Sequence, residues 1–412
     1  MTPDVCRPTR HIRPARGWIN DPNGLVFHDD RWHVFFQFNP DEPRHGQIHW
    51  GHVSSQDLLT WREEPMALRP RPGKLDEVGC WSGCCTLDEG VPTFCYTAVD
   101  TTPADAVGAI ARGSADLADW TQADRPSAPR FGEPVGETRD PFVAWIEGRR
   151  YIVQGHGGPG VPAQVLVYDA TDLADWKLLG PLLDTSDPVA VEFAAADIWE
   201  CPNLVQVDGQ WVLLLSLWRH DGVQGQLSGV RWLTGDITVT DGCPRFSAVA
   251  GGVLDDGPAF YAPQVMLDTD ADGKDRALLL GWSWELARDD DWLDEHGWAG
   301  VLTIPRELHL RDGRLVMEPA PEVLAAVGAD LPNPWPATQG AVLATTSGPG
   351  RLLCSEADGP AEVEIGSPAT IIVDGSLVEV FTDGRAFTTR IYPGDASQWS
   401  IEAAQVTVRQ LG

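Results

Sequence analysis

Five stretches of the chain repeat one pattern: an apolar run, a short polar turn, then a second apolar run. They read DPNGLVFHDDRWHVFFQ, WSGCCTLDEGVPTFCYT, DPFVAWIEGRRYIVQG, CPNLVQVDGQWVLLLS and APQVMLDTDADGKDRALLLGW. Apolar runs of this length, broken by Asp, Gly and Pro, predict β-hairpins. The proline near the start of each hairpin, replaced by serine in the second, sets a period. Pro22, Ser82, Pro141, Pro202 and Pro263 stand 60, 59, 61 and 61 residues apart. A second echo, SQDLLTW, SADLADW and ATDLADW, follows the first three hairpins and ends at Trp61, Trp120 and Trp176. Each unit has room for four strands of about 5–6 residues plus turns. A steady period with a hairpin in every unit predicts a five-bladed β-propeller over residues 1–320. A β-sandwich would not require equal steps, and the helical periodicity of a parallel α/β fold is missing between the hairpins.

After the fifth unit, TIPRELHLRDGRLVMEPAPEVLAAV predicts a hairpin and then a short helix. Residues 321–332 read as a linker into a Pro- and Gly-rich stretch. Residues 333–412 alternate as short strands, most clearly in TIIVDGSLVEVFTDGRAFTTRIY, and predict a small C-terminal β-sandwich domain. The fold class is therefore all-β. A domain of about 80 residues buries little surface alone and is expected to lean on the propeller.

Composition narrows the partners. The 33 prolines and 42 glycines suit many short strands, and 18 tryptophans supply faces for a core or for a sugar ring. Sixty acidic against 30 basic residues give a net charge of −30, a field that repels phosphate backbones and anionic lipid. Neither nucleic acid nor a membrane is an expected partner. No apolar run approaches the ~20 residues of a membrane span. The start, MTPDVCRPTRHIRPARGW, lacks the apolar centre of a signal peptide, so a cytoplasmic location is expected. Oligomeric state is not readable.

Free, mostly buried thiols are then the expected state of the eight cysteines. The spacing of Cys80, Cys84, Cys85 and Cys95 matches no zinc pattern. His45, His49 and His52 crowd together in HGQIHWGH, but in a strand the third faces away from the other two. No metal and no cofactor are expected.

In a propeller the innermost strands converge on the axis, so equivalent positions of distant units can meet. The residue before the aligned proline is Asp21 in unit one and Asp140 in unit three; in unit four Glu200 stands one position further back. Three carboxylates around one funnel would supply a nucleophile, a general acid/base and a charge facing an oxocarbenium-like transition state. By composition alone, capping a turn before proline is the commoner use of Asp21 and Asp140. Strand alternation should turn Glu200 away from the other two unless a bulge intervenes. Trp199 beside it suits a core or a sugar platform equally.

At these residues the chain resembles glycoside hydrolase family 32, the invertases, levanases, inulinases and related β-fructosidases. WINDPNGL looks like the family's Trp-Met-Asn-Asp-Pro-Asn-Gly box, TRDP like its Arg-Asp-Pro box, and WECPNL like its Glu-Cys-Pro box. FFQFNP, HWGHVSSQDLLTW, WSG, FYAPQ, GWAGVLTIPREL and SLVEVF…TTRIYP add to the ordered set, which runs from about His11 to Pro393. The resemblance implies a five-bladed propeller followed by a β-sandwich. It gives Asp21 the role of nucleophile, Glu200 that of acid/base and Asp140 that of transition-state stabiliser. Asn20, Gln37, Trp81, Ser82 and Arg139 match stretches that line the fructose pocket, and Trp282 matches more loosely.

The implied reaction is release of terminal β-D-fructofuranosyl units from sucrose or short fructo-oligosaccharides, with retention and through a fructosyl-enzyme ester. A fructosyltransferase or a levan- or inulin-type exohydrolase would use the same residues, and a non-catalytic sugar-binding propeller is the remaining alternative. Departures from the family pattern bear on the substrate. His45-Gly46-Gln47 stands where a tryptophan usually precedes Gly-Asn, Trp81 where phenylalanine is common, and Asn203 where aspartate is frequent. His45 is thus a candidate substrate-binding residue at the rim.

Overall fold

The computed structural model describes residues 4–128, 136–221, 224–270, 273–286, 288–359 and 361–412. The first three-quarters of the chain is a five-bladed propeller of antiparallel four-stranded blades. Blade one is Gly17–His28, Arg31–Asn39, His49–Ser55 and Arg62–Glu63. Blade two is Gly79–Asp88, Val91–Val99, Val107–Gly113 and Trp120–Gln122. Blade three is Glu137–Ile146, Arg149–Gly158, Val161–Asp169 and Lys177–Asp184. Blade four is Ile198–Val207, Gln210–His220, Gly225–Thr240 and Cys243–Val253. Blade five is Tyr261–Thr269, Asp275–Ser283, Arg306–Arg311 and Arg314–Pro319.

The secondary echo has a local cause. Asp57, Asp116 and Asp172 each accept a backbone N–H two residues on, from Leu59, Ala118 and Ala174 at 3.0, 3.3 and 2.8 Å. These Asx turns reverse the chain before the fourth strand of each blade. The tryptophan that ends the echo then donates its indole N–H back to the turn, from Trp120 to Leu117 O at 3.0 Å and from Trp176 to Leu173 O at 2.6 Å.

Two devices hold the blades in a ring. The short strand Trp298–Ala299 pairs in parallel with Gly17–Trp18, so a segment from blade five closes onto blade one. Gly300 permits that approach: its φ is +80°, and a Cβ there would stand 2.0 Å from Ile19 O. Around the axis, side-chain amides bind neighbouring inner strands. Asn23 accepts from Gly83 N at 3.2 Å, and Gln264 accepts from Leu25 N at 3.0 Å while donating to Gly83 O at 2.8 Å. Asn203 accepts from Val265 N at 2.8 Å and donates to Pro263 O at 3.0 Å. The second bond needs an N–H, which accounts for asparagine at a position where aspartate would be left facing a carbonyl.

The short helix expected after the last hairpin is Pro321–Ala325, and the stretch read as a linker also carries a strand, Val327–Asp330, that pairs with Thr407–Leu411 of the C-terminal unit. That unit is a sandwich of a six-stranded and a four-stranded sheet. Its own core includes Trp335, Val342, Leu352, Ile371, Val380 and Trp399.

Charged groups join sandwich to propeller. His11 places Nδ1 2.8 Å from Asp374 and Nε2 2.8 Å from Glu379. Arg306 donates to Glu379 at 2.9 Å, Asp255 at 2.8 Å and Thr388 at 2.6 Å. His11, Arg306, Asp374 and Glu379 have no side-chain exposure. All eight cysteines are unpaired, five of them buried. Trp199 is a core residue, 0 % exposed, with its indole N–H on Ala194 O at 2.6 Å.

Candidate active site

Every inner strand breaks register beside the aligned proline or its serine. The slips fall between Ile19 and Pro22, Trp81 and Gly83, Arg139 and Phe142, Glu200 and Asn203, and Tyr261 and Gln264. In blades three to five the residue before the proline takes a left-handed backbone, with φ of 59° at Asp140, 46° at Cys201 and 43° at Ala262. In blade one Asp21 has no such φ, and the slip comes one residue earlier relative to its proline. Strand alternation therefore does not hold across these positions. This is why Asp21 and Glu200 reach one funnel despite their offset.

The funnel is held by a dense set of hydrogen bonds. Asp21 accepts on one oxygen from Asn20 Nδ2 at 3.0 Å and on the other from Gln37 Nε2 at 3.0 Å and Ser82 Oγ at 2.5 Å. Gln37 also bonds Ser82. The Cys201 thiol lies 3.6 Å from both Asp21 Oδ2 and Asp140 Oδ2, and its backbone N–H donates to Asp140 Oδ2 at 3.0 Å. Glu200 accepts from the Tyr261 hydroxyl at 2.6 Å and lies 3.3 Å from Arg139 Nε. The other end of that guanidinium is ion-paired with Glu137.

Asp21, Asp140 and Glu200 thus crowd one funnel beside a single guanidinium, and the three cannot all ionise cheaply out of water. Burial pushes Glu200 up to about 7; Arg139 opposes this, Asp140 adds to it and Tyr261 opposes it. Burial also lifts Asp21 to about 7, against the Ser82 hydrogen bond and with the charges of Asp140 and Glu200. Asp140 is raised by burial, with Arg139 and Cys201 acting against it. Asp21 accepts from three side chains and Glu200 from Tyr261 beside Arg139, so both carboxyls keep hydrogen-bond donors while burial holds them above the ordinary carboxylate range.

Aromatic rings form the rim. His45 stands edge-on between Trp18 and Trp81, with centroids 5.2 and 5.8 Å away. Trp18 meets Trp282 at 5.6 Å, Trp282 meets Trp284 at 5.7 Å, and Trp284 meets Tyr261 at 6.2 Å. Trp81 also lies 5.8 Å beneath Arg139. Asn20, Gln37, His45, Trp81, Ser82, Arg139 and Trp282 are thus contiguous with the three carboxylates.

The remaining histidines of HGQIHWGH go elsewhere. His49 bonds Gln47 O at 2.6 Å, and His52 packs inside blade one, 2.9 Å from His33 Nδ1. Among the described residues no group of three or more His, Cys, Asp and Glu side chains is arranged to hold a metal ion. Sequence reasoning passed over Tyr261, Cys201 and Glu137. Tyr261 stands two residues before Pro263, as Glu200 does before Pro202 and Arg139 before Pro141. The same alignment extended to the fifth unit points to it.

Sequence models of two domains match the chain: "Glycosyl hydrolases family 32 N-terminal domain" over residues 11–319, and "Glycosyl hydrolases family 32 C terminal" over residues 367–409. A raffinose invertase of Escherichia coli is 33% identical over 77% of this chain and 65% of its own length. A sucrose-6-phosphate hydrolase of Klebsiella pneumoniae is 33% identical over 79% of this chain and 69% of its own. A fructan 6-exohydrolase of Triticum aestivum is 31% identical over 76% of this chain and 56% of its own. The chain spans less than two thirds of the length of two of these three relatives, the raffinose invertase and the fructan 6-exohydrolase. A Bombyx mori GH32 beta-fructofuranosidase superposes with a TM-score of 0.80 at 24% identity, covering 99% of this chain and 94% of that one. The fructan 1-exohydrolase IIa of Cichorium intybus gives 0.80 at 20% identity, covering 100% and 98%. These two superpositions establish the propeller-and-sandwich fold, and with the two domain matches and the sequence relatives, the chain belongs to glycoside hydrolase family 32.

Proposed function

We propose that the chain is a retaining hydrolase that releases terminal β-D-fructofuranosyl units from sucrose or short fructo-oligosaccharides. The observation that carries this is the meeting of Asp21, Asp140 and Glu200 in one buried funnel, bridged by Cys201 and balanced by Arg139. The relatives named as invertase, sucrose-6-phosphate hydrolase and fructan exohydrolase all act on fructosides by name, and two neighbouring structures are complexes with sucrose and with 1-kestose.

Glu200 gives its proton to the glycosidic oxygen as the bond to the fructosyl anomeric carbon breaks. Asp21 attacks that carbon and forms an ester. Glu200, now a carboxylate, takes a proton from water, whose oxygen displaces Asp21 and restores the starting state. Asp140, set beside Asp21 by Cys201, faces the ring hydroxyls and the charge that develops on the sugar. Fructose release from sucrose, 1-kestose, inulin and levan by the purified chain is the direct test. No release from any of the four would end this reading.

The mechanism requires a bell-shaped pH profile, with an alkaline limb where Glu200 loses its proton. Tyr261 donates to Glu200 and lowers its pKa, so Tyr261→Phe should raise that pKa and carry the alkaline limb to higher pH. A drop of about tenfold in kcat is expected alongside, the size of one lost hydrogen bond to a charged group. Profiles of kcat/KM against pH for both proteins check this; a limb that stays or moves to lower pH contradicts it.

A further inference from the structure

The sandwich reaches the catalytic funnel through a buried carboxylate that the reaction itself does not use. Glu285 lies two residues past the strand Asp275–Ser283 and directly after the rim ring Trp284; its side chain is 7% exposed. Three donors converge on it. Gly300 N donates at 3.0 Å, the Tyr392 hydroxyl donates at 2.7 Å, and the Arg390 guanidinium pairs with it at 2.9 Å. Gly300 belongs to the clasp that closes blade five onto blade one, whereas Arg390 and Tyr392 belong to the sandwich. The same two sandwich residues hold the backbone on either side of Trp284. Arg390 donates to Ser283 O at 3.4 Å, and the Tyr392 hydroxyl accepts from Leu286 N at 2.9 Å. Arg390 is itself fixed, wholly buried and donating to Ser376 Oγ at 2.8 Å. Trp284 thus sits in a short segment gripped from the sandwich.

Two short routes lead from Glu285 to the catalytic carboxylates. Gly300 packs on Ile19 O, two residues before Asp21, and lies beside the indole nitrogen of Trp282. Trp284 packs edge-on against Tyr261, whose hydroxyl donates to Glu200 at 2.6 Å. A buried carboxylate–guanidinium pair is weak evidence of added stability. Its use here is geometric, and displacing a reacting group by about 1 Å can cost ~10²-fold in rate.

We propose that Glu285 is a positioning residue for fructoside hydrolysis: through it the C-terminal sandwich holds Trp284 against Tyr261 and the clasp against the strand of Asp21. This rests on the fructoside-hydrolysing reading above. Docking of the sandwich then completes the funnel as well as the fold, and Glu285 acts on the reaction only through Trp284 and Gly300.

Two variants of the full chain test it, with sucrose as substrate and kcat expressed per folded molecule from the thermal melt. Glu285→Ala removes the carboxylate and leaves Arg390 buried with one acceptor fewer. Tyr392→Phe is the milder cut, because it keeps the ring 3.6 Å from Arg288 and removes only the hydroxyl. Glu285→Ala should lower kcat by about tenfold or more, and Tyr392→Phe should lower it several-fold. In both, the alkaline limb of kcat/KM should move to higher pH as the bond from Tyr261 to Glu200 loosens. Adding Tyr261→Phe to either should then move the limb little further, since both changes act on one hydrogen bond. Where Glu285→Ala does not fold, Tyr392→Phe decides by the same readouts. Activity lost only in proportion to unfolded protein, with the limb in place, overturns the proposal and leaves the hydrolase reading intact. A limb shift that simply adds to that of Tyr261→Phe overturns it too. No fructose from any fructoside with the unaltered chain removes the hydrolase reading itself, and this proposal with it.

Discussion

Asp21→Asn should lower kcat for fructoside hydrolysis by about 10⁴-fold or more without lowering the melting temperature. The amide matches the carboxylate in shape and keeps its oxygen for Gln37 and Ser82, while its NH2 can meet the unpartnered oxygen of a turned Asn20 amide, but it cannot form the ester. In most buried positions, loss of a carboxylate partnered by several donors would destabilise the protein. Here the sign is opposite, because burial and the charges of Asp140 and Glu200 already push Asp21 up to about 7. Removing its charge relieves that repulsion, a site where stability has been given up for activity. Kinetics with sucrose and calorimetry on the same sample check both halves. A loss of less than tenfold, or a clear fall in melting temperature with activity retained, would show that Asp21 serves the fold and not the reaction. Glu200→Gln gives a contrast: it should spare turnover of a fructoside whose leaving group departs without a proton, whereas Asp21→Asn should not.

The second large effect lies at the joint between propeller and sandwich. Both ring nitrogens of His11 face carboxylates, at 2.8 Å each, so both must donate and the ring is an imidazolium. Burial alone would lower its pKa, but the hydrogen bonds and charges of Asp374 and Glu379 outweigh that and raise it to about 9. A group raised from 6.5 in the unfolded chain stabilises fully below pH 6.5, and that contribution is lost as pH climbs through 9. The linked stability is roughly 3 kcal/mol.

His11→Leu leaves Asp374 and Glu379 buried with one partner fewer and should cost about 3–5 kcal/mol at pH 6. Part of that deficit should close toward pH 9.5, where the native ring has itself become neutral. Melting temperatures of both proteins at the two pH values decide it. Equal deficits at both values would mean that packing, not charge, is what His11 supplies.

Periodicity carried most of the fold. Spacing of Pro22, Ser82, Pro141, Pro202 and Pro263 gave five blades, because each blade needs the same chain length to cross from axis to rim and return. Asp21 and Asp140 could be paired from that alignment alone. Glu200 could not, since its direction depends on a register slip and a φ of 46° at Cys201, which no side-chain pattern announces. The His11 and Arg306 cluster was also hidden. Its members are up to 368 residues apart, between His11 and Glu379, and belong to no repeat, so only the docking of two units brings them together. Within residues 321–332 the short helix Pro321–Ala325 was legible, but the strand Val327–Asp330 was not, because its partner, Thr407–Leu411, comes more than seventy positions later.

The strand that carries Asp21 is the first of the propeller, yet its neighbour on one side, Trp298–Ala299, comes almost last. Gly17 N donates to Gly297 O at 2.8 Å, and Gly300 sits against Ile19 O. During synthesis, blades one to four can gather from sequential hairpins while the edge bearing the nucleophile still lacks its neighbour. That edge is completed when the chain has grown past residue 300, and the late, long-range closure makes it a slow contact by its topology. Catalysis would then report on completion: a chain cut short before Trp298 keeps Asp21, Asp140 and Glu200 in sequence and lacks the clasp that sets them facing one another.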